Sequence, residues 1–168
     1  MKNLISLSLL IFLFIFSSCG GGATKKEEKS KIKLEAPKSE IKTTPKTEGI
    51  PPSQRVDLDN KGVGPITSLK LSNEIDPEMA AHGEEVYKNM CSACHRPDKK
   101  FIGPAPIGIL ERRSPEWIMN MILAPEKMVQ NDPLAKDLLM EFNGSPMANQ
   151  NLTEEEARAV LEYFRTLK

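Results

Sequence analysis

Cys91, Cys94 and His95 stand in the order Cys-x-x-Cys-His, with Ser92 and Ala93 between the two thiols. On a helical turn, residues three and four apart share a face, so Cys91 lies beside both Cys94 and His95. Two thiols on one face can reach the two vinyl groups along one edge of a porphyrin. The imidazole that follows can then turn under the ring to its iron. Ser92 and Ala93 are small enough not to obstruct the macrocycle. The chemistry this spacing supports is covalent attachment of a c-type haem.

Two other uses of the same residues can be weighed. A structural zinc site needs four thiol or imidazole ligands, whereas the whole chain holds three cysteines and two histidines. Cys19 is also expected to be committed elsewhere. A dithiol redox motif is normally carried at a strand-to-helix junction of an alternating β/α pattern. No strand run precedes Cys91. The haem reading is the stronger.

The elements that must position this motif read as helices. Asp76-Pro77 is a start signal, an N-cap residue followed by proline at the first helical position. Behind it Met79, Gly83, Val86, Tyr87 and Met90 form one helical stripe that runs into the motif. Ser114-Pro115 repeats the signal ahead of Trp117, Ile118, Met121 and Ile122, and Pro125 is expected to stop that helix. Asp132-Pro133 leads to Leu134, Leu138, Leu139 and Phe142, ending at Asn143-Gly144. Thr153 to Glu156 is a capping box for a last helix with the stripe Ala157, Val160, Leu161, Phe164 and Leu167. Four helices with Pro- and Gly-rich connections predict a small all-α domain. About ninety residues are few for a self-sufficient core, and a buried haem would supply part of the missing apolar interior.

Ahead of these helices the chain changes character. Lys2 followed by a mostly apolar run from Leu4 to Phe16 and the small pair Ser17-Ser18 predicts an export signal over residues 1–18. That run is too short to span a bilayer core, which takes about twenty residues. From Gly20 to about Gln54 the chain is Lys, Glu, Thr, Ser and Pro without an aromatic ring. Such a stretch cannot offset its ordering entropy. Residues 19–62 are therefore expected to be a flexible linker and 63–168 the domain, with its core at 76–168. Val63, Ile66, Leu69, Leu71 and Ile75 could form an ordered arm on that domain.

Net charge is zero over 168 residues, but unevenly spread. Residues 20–62 hold ten Lys/Arg against seven Asp/Glu, or +3, and residues 63–168 hold twelve against sixteen, or −4. A mildly acidic domain gives no support for nucleic-acid binding, which favours a concentrated basic face.

Cys19, followed by Gly20-Gly21-Gly22, resembles the lipid-modified cysteine that begins mature bacterial lipoproteins. That family usually places an aliphatic residue three before the cysteine, where this chain has Phe16. From Val63 or Ile75 onward the chain resembles the class I monohaem cytochromes c. Gly83 and Tyr87 match a glycine and an aromatic on that family's first helix, and Val160 and Tyr163 match an aliphatic and an aromatic on its last. The resemblance implies that these four meet where the terminal helices cross.

It also implies a wider site. Gly103-Pro104 matches the pair whose proline carbonyl accepts the proximal histidine's ring N–H, a bond that fixes the imidazole's orientation. Arg112 aligns with an arginine near a haem propionate, and Arg113 is an equal candidate by charge. Pro106 replaces a leucine common in that loop, which is expected to lie over the ring edge. Met147, in the loop Asn143 to Asn149, stands where the family presents its sixth-ligand methionine, although here Pro146 precedes it. The other methionines from Met79 to Met140 are expected to fill the core. His82, the competing imidazole, is expected to face solvent.

A haem iron held by His95 and Met147 has no open position and suits electron transfer rather than substrate chemistry. The expectation is a membrane-tethered electron carrier of the bacterial envelope or periplasm, with one covalent haem c and redox-protein partners in a respiratory chain. Residues 114–156 also resemble small lipoprotein cytochromes that accompany nitrous-oxide respiration, which suggests a nitrous-oxide reductase system. The alternatives are a haem enzyme or gas sensor with a labile sixth ligand, and a haem-free dithiol oxidoreductase.

Overall fold

The structure is a computed structural model in which residues 49–168 are described. The export signal, Cys19 and most of the expected linker lie outside the described residues. Five α-helices follow one another: α1 Pro77–Met90, α2 Pro115–Leu123, α3 Pro125–Asn131, α4 Pro133–Glu141 and α5 Glu154–Thr166. Short 3-10 turns occupy Pro52–Gln54 and Ile109–Glu111. No β-strand occurs among the described residues, only an isolated bridge between Asp57 and Arg113. The all-α expectation holds.

Proline at the first position opens α1 to α4. Asp76 caps α1 through the N–H groups of Glu78 and Met79, and Ser114 caps α2 through Trp117 N–H. Asp132 caps α4 through Ala135 N–H, and α5 carries the complete capping box between Thr153 and Glu156. These contacts satisfy the donors that a helix start leaves open.

α3 was not expected. Pro125 ends α2 but also stands at the first position of the next helix, where its missing N–H costs nothing. The seven residues of α3 carry no side-chain cap, so no start signal announces them. Its buried Met128 anchors it to the core.

The first and last helices pack together closely. An added Cβ at Gly83 would sit 1.9 Å from the Ala159 carbonyl oxygen and 2.9 Å from Val160 N. Tyr87 and Tyr163 meet at a 48° tilt with ring centroids 5.3 Å apart, and Phe164 meets Tyr87 edge-on at 5.8 Å. The four residues named for this crossing do meet. The α1 stripe holds at Gly83, Val86 and Tyr87 and departs at its ends, where Ala80 is buried and Met90 is 45% exposed. Met140 is 70% exposed, so neither methionine fills the core, while Met119 and Met128 do.

α2 is buried nearly all round because the segment before α1 covers its outer face. Asn120 accepts from Ile66 N–H at 2.9 Å and donates to the carbonyls of Lys61 and Ile66 at 2.9 and 2.8 Å. Glu116 accepts from Leu69 N–H at 3.1 Å. Ile66 is buried, so the arm after Val63 packs on the domain. Residues 50–62, which composition places in the linker, also lie against the helices. Asn60 donates to Asp132 at 2.7 Å, and Asp57 N–H to the Arg112 carbonyl at 2.9 Å. Side-chain hydrogen bonds from α2 and α4 offset the ordering cost that composition alone implied.

Candidate functional site

The Cys-x-x-Cys-His run begins where α1 ends. Cys91 closes the helix by donating its N–H to Tyr87 at 2.9 Å, and His95 N–H returns to the Cys91 carbonyl at 2.9 Å. That single turn brings both thiols and the imidazole to one side. Tyr87 braces the turn by donating its hydroxyl to the His95 carbonyl at 2.8 Å. Burial, with lesser contributions from Cys91 and Tyr163, pushes the Tyr87 phenol up to about 12, so it remains a donor at neutral pH.

Cys91 is half-buried and Cys94 exposed, and no disulfide joins them. Burial first, and Cys94 second, push the Cys91 thiol up to about 11. A reactive redox dithiol needs a lowered thiol pKa to supply thiolate. This pair has the opposite setting on its buried member, which weighs against dithiol exchange.

His95 turns its Nδ1 to the Pro104 carbonyl at 2.8 Å. With Nδ1–H donating there, Nε2 is the nitrogen left to bind a metal. Gly103 makes this approach possible. A Cβ there would lie 2.4 Å from His95 Cε1 and 2.8 Å from its Nδ1. The expected Gly103-Pro104 relationship is therefore present in geometry.

One largely apolar cavity joins these residues to the far side of the domain. Cys91, Cys94, His95, Pro104 and Met147 all line it. Trp117, Ile118, Phe142 and Val160 contribute aromatic and aliphatic wall from α2, the end of α4, and α5. Met147 reaches it from the 143–151 loop, which Asn143, Gly144 and Asn151 shape with φ of 59°, 72° and 54°. Pro106 is buried and also on the wall. His82 is exposed and stands apart. An imidazole and a thioether on one apolar cavity, with two thiols at its rim, fit a porphyrin bound through its edge and its iron.

Both arginines line the cavity, in different settings. Arg112 donates to the carbonyls of Gly108 at 2.9 Å and Ile107 at 3.0 Å. Arg113 is 3% exposed and donates to the carbonyls of Pro52, Arg55 and Arg112. Its guanidinium lies 5.2 Å from the Trp117 ring. Burial, then the neighbouring Arg112 charge, lowers it to about 10. Ser53 and Trp117 were not assigned to this wall from sequence, whereas Arg113 was named beside Arg112 as an equal candidate. The Arg113 side chain had only its charge to suggest it, and Ser53 had no local signal at all.

A family model described as Cytochrome c matches residues 80–168. Among solved structures, a cytochrome c from Rhodothermus marinus is 43% identical, over 62% of this chain and 89% of its own, with a TM-score of 0.60. An engineered cytochrome c from that organism, Rma TDE, is 42% identical over 62% of this chain and 90% of its own, with a TM-score of 0.60. Rma TDE bound to a carbene intermediate, 1-ethoxy-1-oxopropan-2-ylidene, is 42% identical over 62% and 89%, with a TM-score of 0.58. No curated protein matches the chain. The turn at Cys91, the His95–Pro104 bond, the apolar cavity and this family match together establish that the chain belongs to the cytochrome c family, with covalently bound haem c and haem-based electron transfer as that membership implies.

Proposed function

We propose that this chain carries single electrons between respiratory redox proteins of a bacterial envelope, held to a membrane by a lipid on Cys19. Cys91 and Cys94 would hold the haem through two thioether bonds, and His95 Nε2 and Met147 Sδ would be the ligands to its iron. The observation that carries this reading is the placing of His95 and Met147 on one apolar cavity, with His95 Nδ1 already engaged by Pro104. An iron held by both an imidazole and a thioether would suit electron transfer rather than substrate binding. A thioether ligand favours the ferrous state, and the apolar wall disfavours the extra charge of the ferric form.

Electrons leave by the attachment edge. Cys94 is exposed there, and Phe101, Ile102 and Met90 are each close to half exposed. A small apolar patch suits the weak, short-lived docking of redox partners. The resemblance of residues 114–156 to cytochromes of nitrous-oxide respiration favours a nitrous-oxide reductase system as the partner. Anchorage rests on the signal-like residues 1–18 and the cysteine that follows them.

An absorption spectrum of the oxidised, matured protein tests the ligand set. A methionine-sulfur-to-iron charge-transfer band is expected, and is expected to vanish in Met147→Ala. A five-coordinate spectrum in the unaltered protein would favour a haem enzyme or gas sensor instead. Release of the protein from membranes by Cys19→Ser tests the anchor. A protein equally membrane-bound after that change would contradict it.

A further inference from the structure

The segment just ahead of Val63 falls outside residues 80–168, the reach of the family match, yet part of it forms the wall of the haem cavity. Ser53, in the 3-10 turn Pro52–Gln54, lines that cavity beside Arg112, Arg113 and Phe142. Three attachments hold the turn there. Ser53 donates both its N–H and its hydroxyl to Glu141, at 2.7 and 2.6 Å, across 88 positions of sequence. Arg55 pairs with Asp137 at 2.6 Å. Arg113 reaches back from the cavity wall to the Pro52 carbonyl at 2.7 Å and to that of Arg55.

Arg113 links the strap to the cavity. Its guanidinium is almost fully buried, and among the described residues no carboxylate lies within 4.0 Å of it. Buried cations are ordinarily paired. Here backbone carbonyls of the strap and Asp57 and Asp132 at longer range provide the compensation. A haem brings two propionate carboxylates to the same cavity. A charge shared between strap carbonyls and cavity would tie the strap's position to the haem's.

We propose that Pro52–Arg55 is a strap completing the haem chamber, in which Ser53, latched to Glu141, and Arg113 are positioning residues that keep water from the haem and so raise its potential. The proposal rests on haem occupying this cavity. Water admitted at the strap would stabilise the ferric charge and lower the potential. The latch is charge-assisted and doubled, the kind of contact that holds a short segment in one geometry.

The test uses the full-length, haem-loaded protein. One variant combines Pro52→Gly, Ser53→Gly and Gln54→Gly, which changes no charge. A milder one is Ser53→Ala. Haem content and the charge-transfer band are recorded first, so that loss of the haem assignment itself would show in the unaltered protein. Tryptic cleavage after Arg55 and the midpoint potential are then measured. The glycine variant is expected to be cut several-fold faster and to show a more negative midpoint, with Ser53→Ala shifted the same way by less. Faster cleavage with an unchanged midpoint would overturn the proposal by reducing the strap to external cladding. Unchanged cleavage would overturn the latch. Should the glycine variant fail to load haem, the Ser53→Ala pair of readings decides in the same terms.

Discussion

Gly83 of α1 lies so close to Ala159 of α5 that an added methyl group would stand 1.9 Å from its carbonyl oxygen. Neither backbone can yield without separating the two helices that hold the Cys91 turn. Gly83→Ala should therefore destabilise the domain despite alanine's better helix propensity, an advantage of about 1 kcal/mol. Overpacking against backbone should outweigh this, for a net loss of about 2 kcal/mol. Urea unfolding of the haem-loaded protein reads the difference. An equal or higher midpoint would show that the helices can part without cost.

Gly103 has the same role toward His95. A Cβ there would overlap the imidazole, so Gly103→Ala should displace the ring and lengthen its bond to Pro104. The expected result is a lower yield of haem-loaded protein and a disturbed low-spin spectrum, with helix content retained. A spectrum identical to the parent's would remove Gly103 from the site.

Glu162 is buried on α5 and accepts from Asp76 N–H at 3.0 Å, Arg158 at 2.5 Å and Arg165 at 2.6 Å. Burial alone would raise its carboxyl. The Asp76 N–H, then Arg158 and Arg165, outweigh that and hold it below the ordinary range. A depressed native value means the stabilisation is fully present above the unfolded pKa, about 4.3, and fades as pH falls through the native value. Glu162→Gln should thus be less stable than the parent at pH 7, with the gap closing toward pH 3. A gap of constant size from pH 7 to pH 3 would mean this carboxylate is not the titrating group.

Asp132 joins three parts of the domain. It caps α4 through Ala135 N–H at 2.7 Å, accepts Trp117 Nε1–H at 3.2 Å, and accepts from Asn60 at 2.7 Å. Asp132→Ala removes the cap and leaves a buried indole N–H without its partner. The combined loss should be about 3 kcal/mol. Hydrogen exchange should show faster exchange at the start of α4 and at Gly62 N–H, which the Asn60 side chain holds at 2.8 Å. Thermal unfolding within about 2 °C of the parent would contradict this, since such a loss corresponds to roughly 12 °C or more in a domain this size.

The helices whose starts were legible are those with a complete local signal: Asp76-Pro77, Ser114-Pro115, Asp132-Pro133 and the Thr153–Glu156 box. Each is a bond between residues two or three apart, so the letters themselves specify it. α3 lacks such a signal and exists because Met128 finds the core. Met90 and Met140 err in the other direction, since a stripe identifies a face without saying what covers it.

The attachment motif and its imidazole were likewise readable, because the porphyrin's own edge dictates a spacing of three and one within a single turn. Sequence determined which residues could bind, where most helices begin, and that the interior would need an added apolar group. Tertiary structure decided the wall around them. Ser53 meets Glu141, Arg113 turns to the strap rather than to a carboxylate, and Asn120 ties down Ile66, across separations of 88, 58 and 54 residues. The physical reason is range: a cap or a turn is settled by neighbours along the chain. A buried charge or a folded-back segment is settled only when distant surfaces have excluded the water between them.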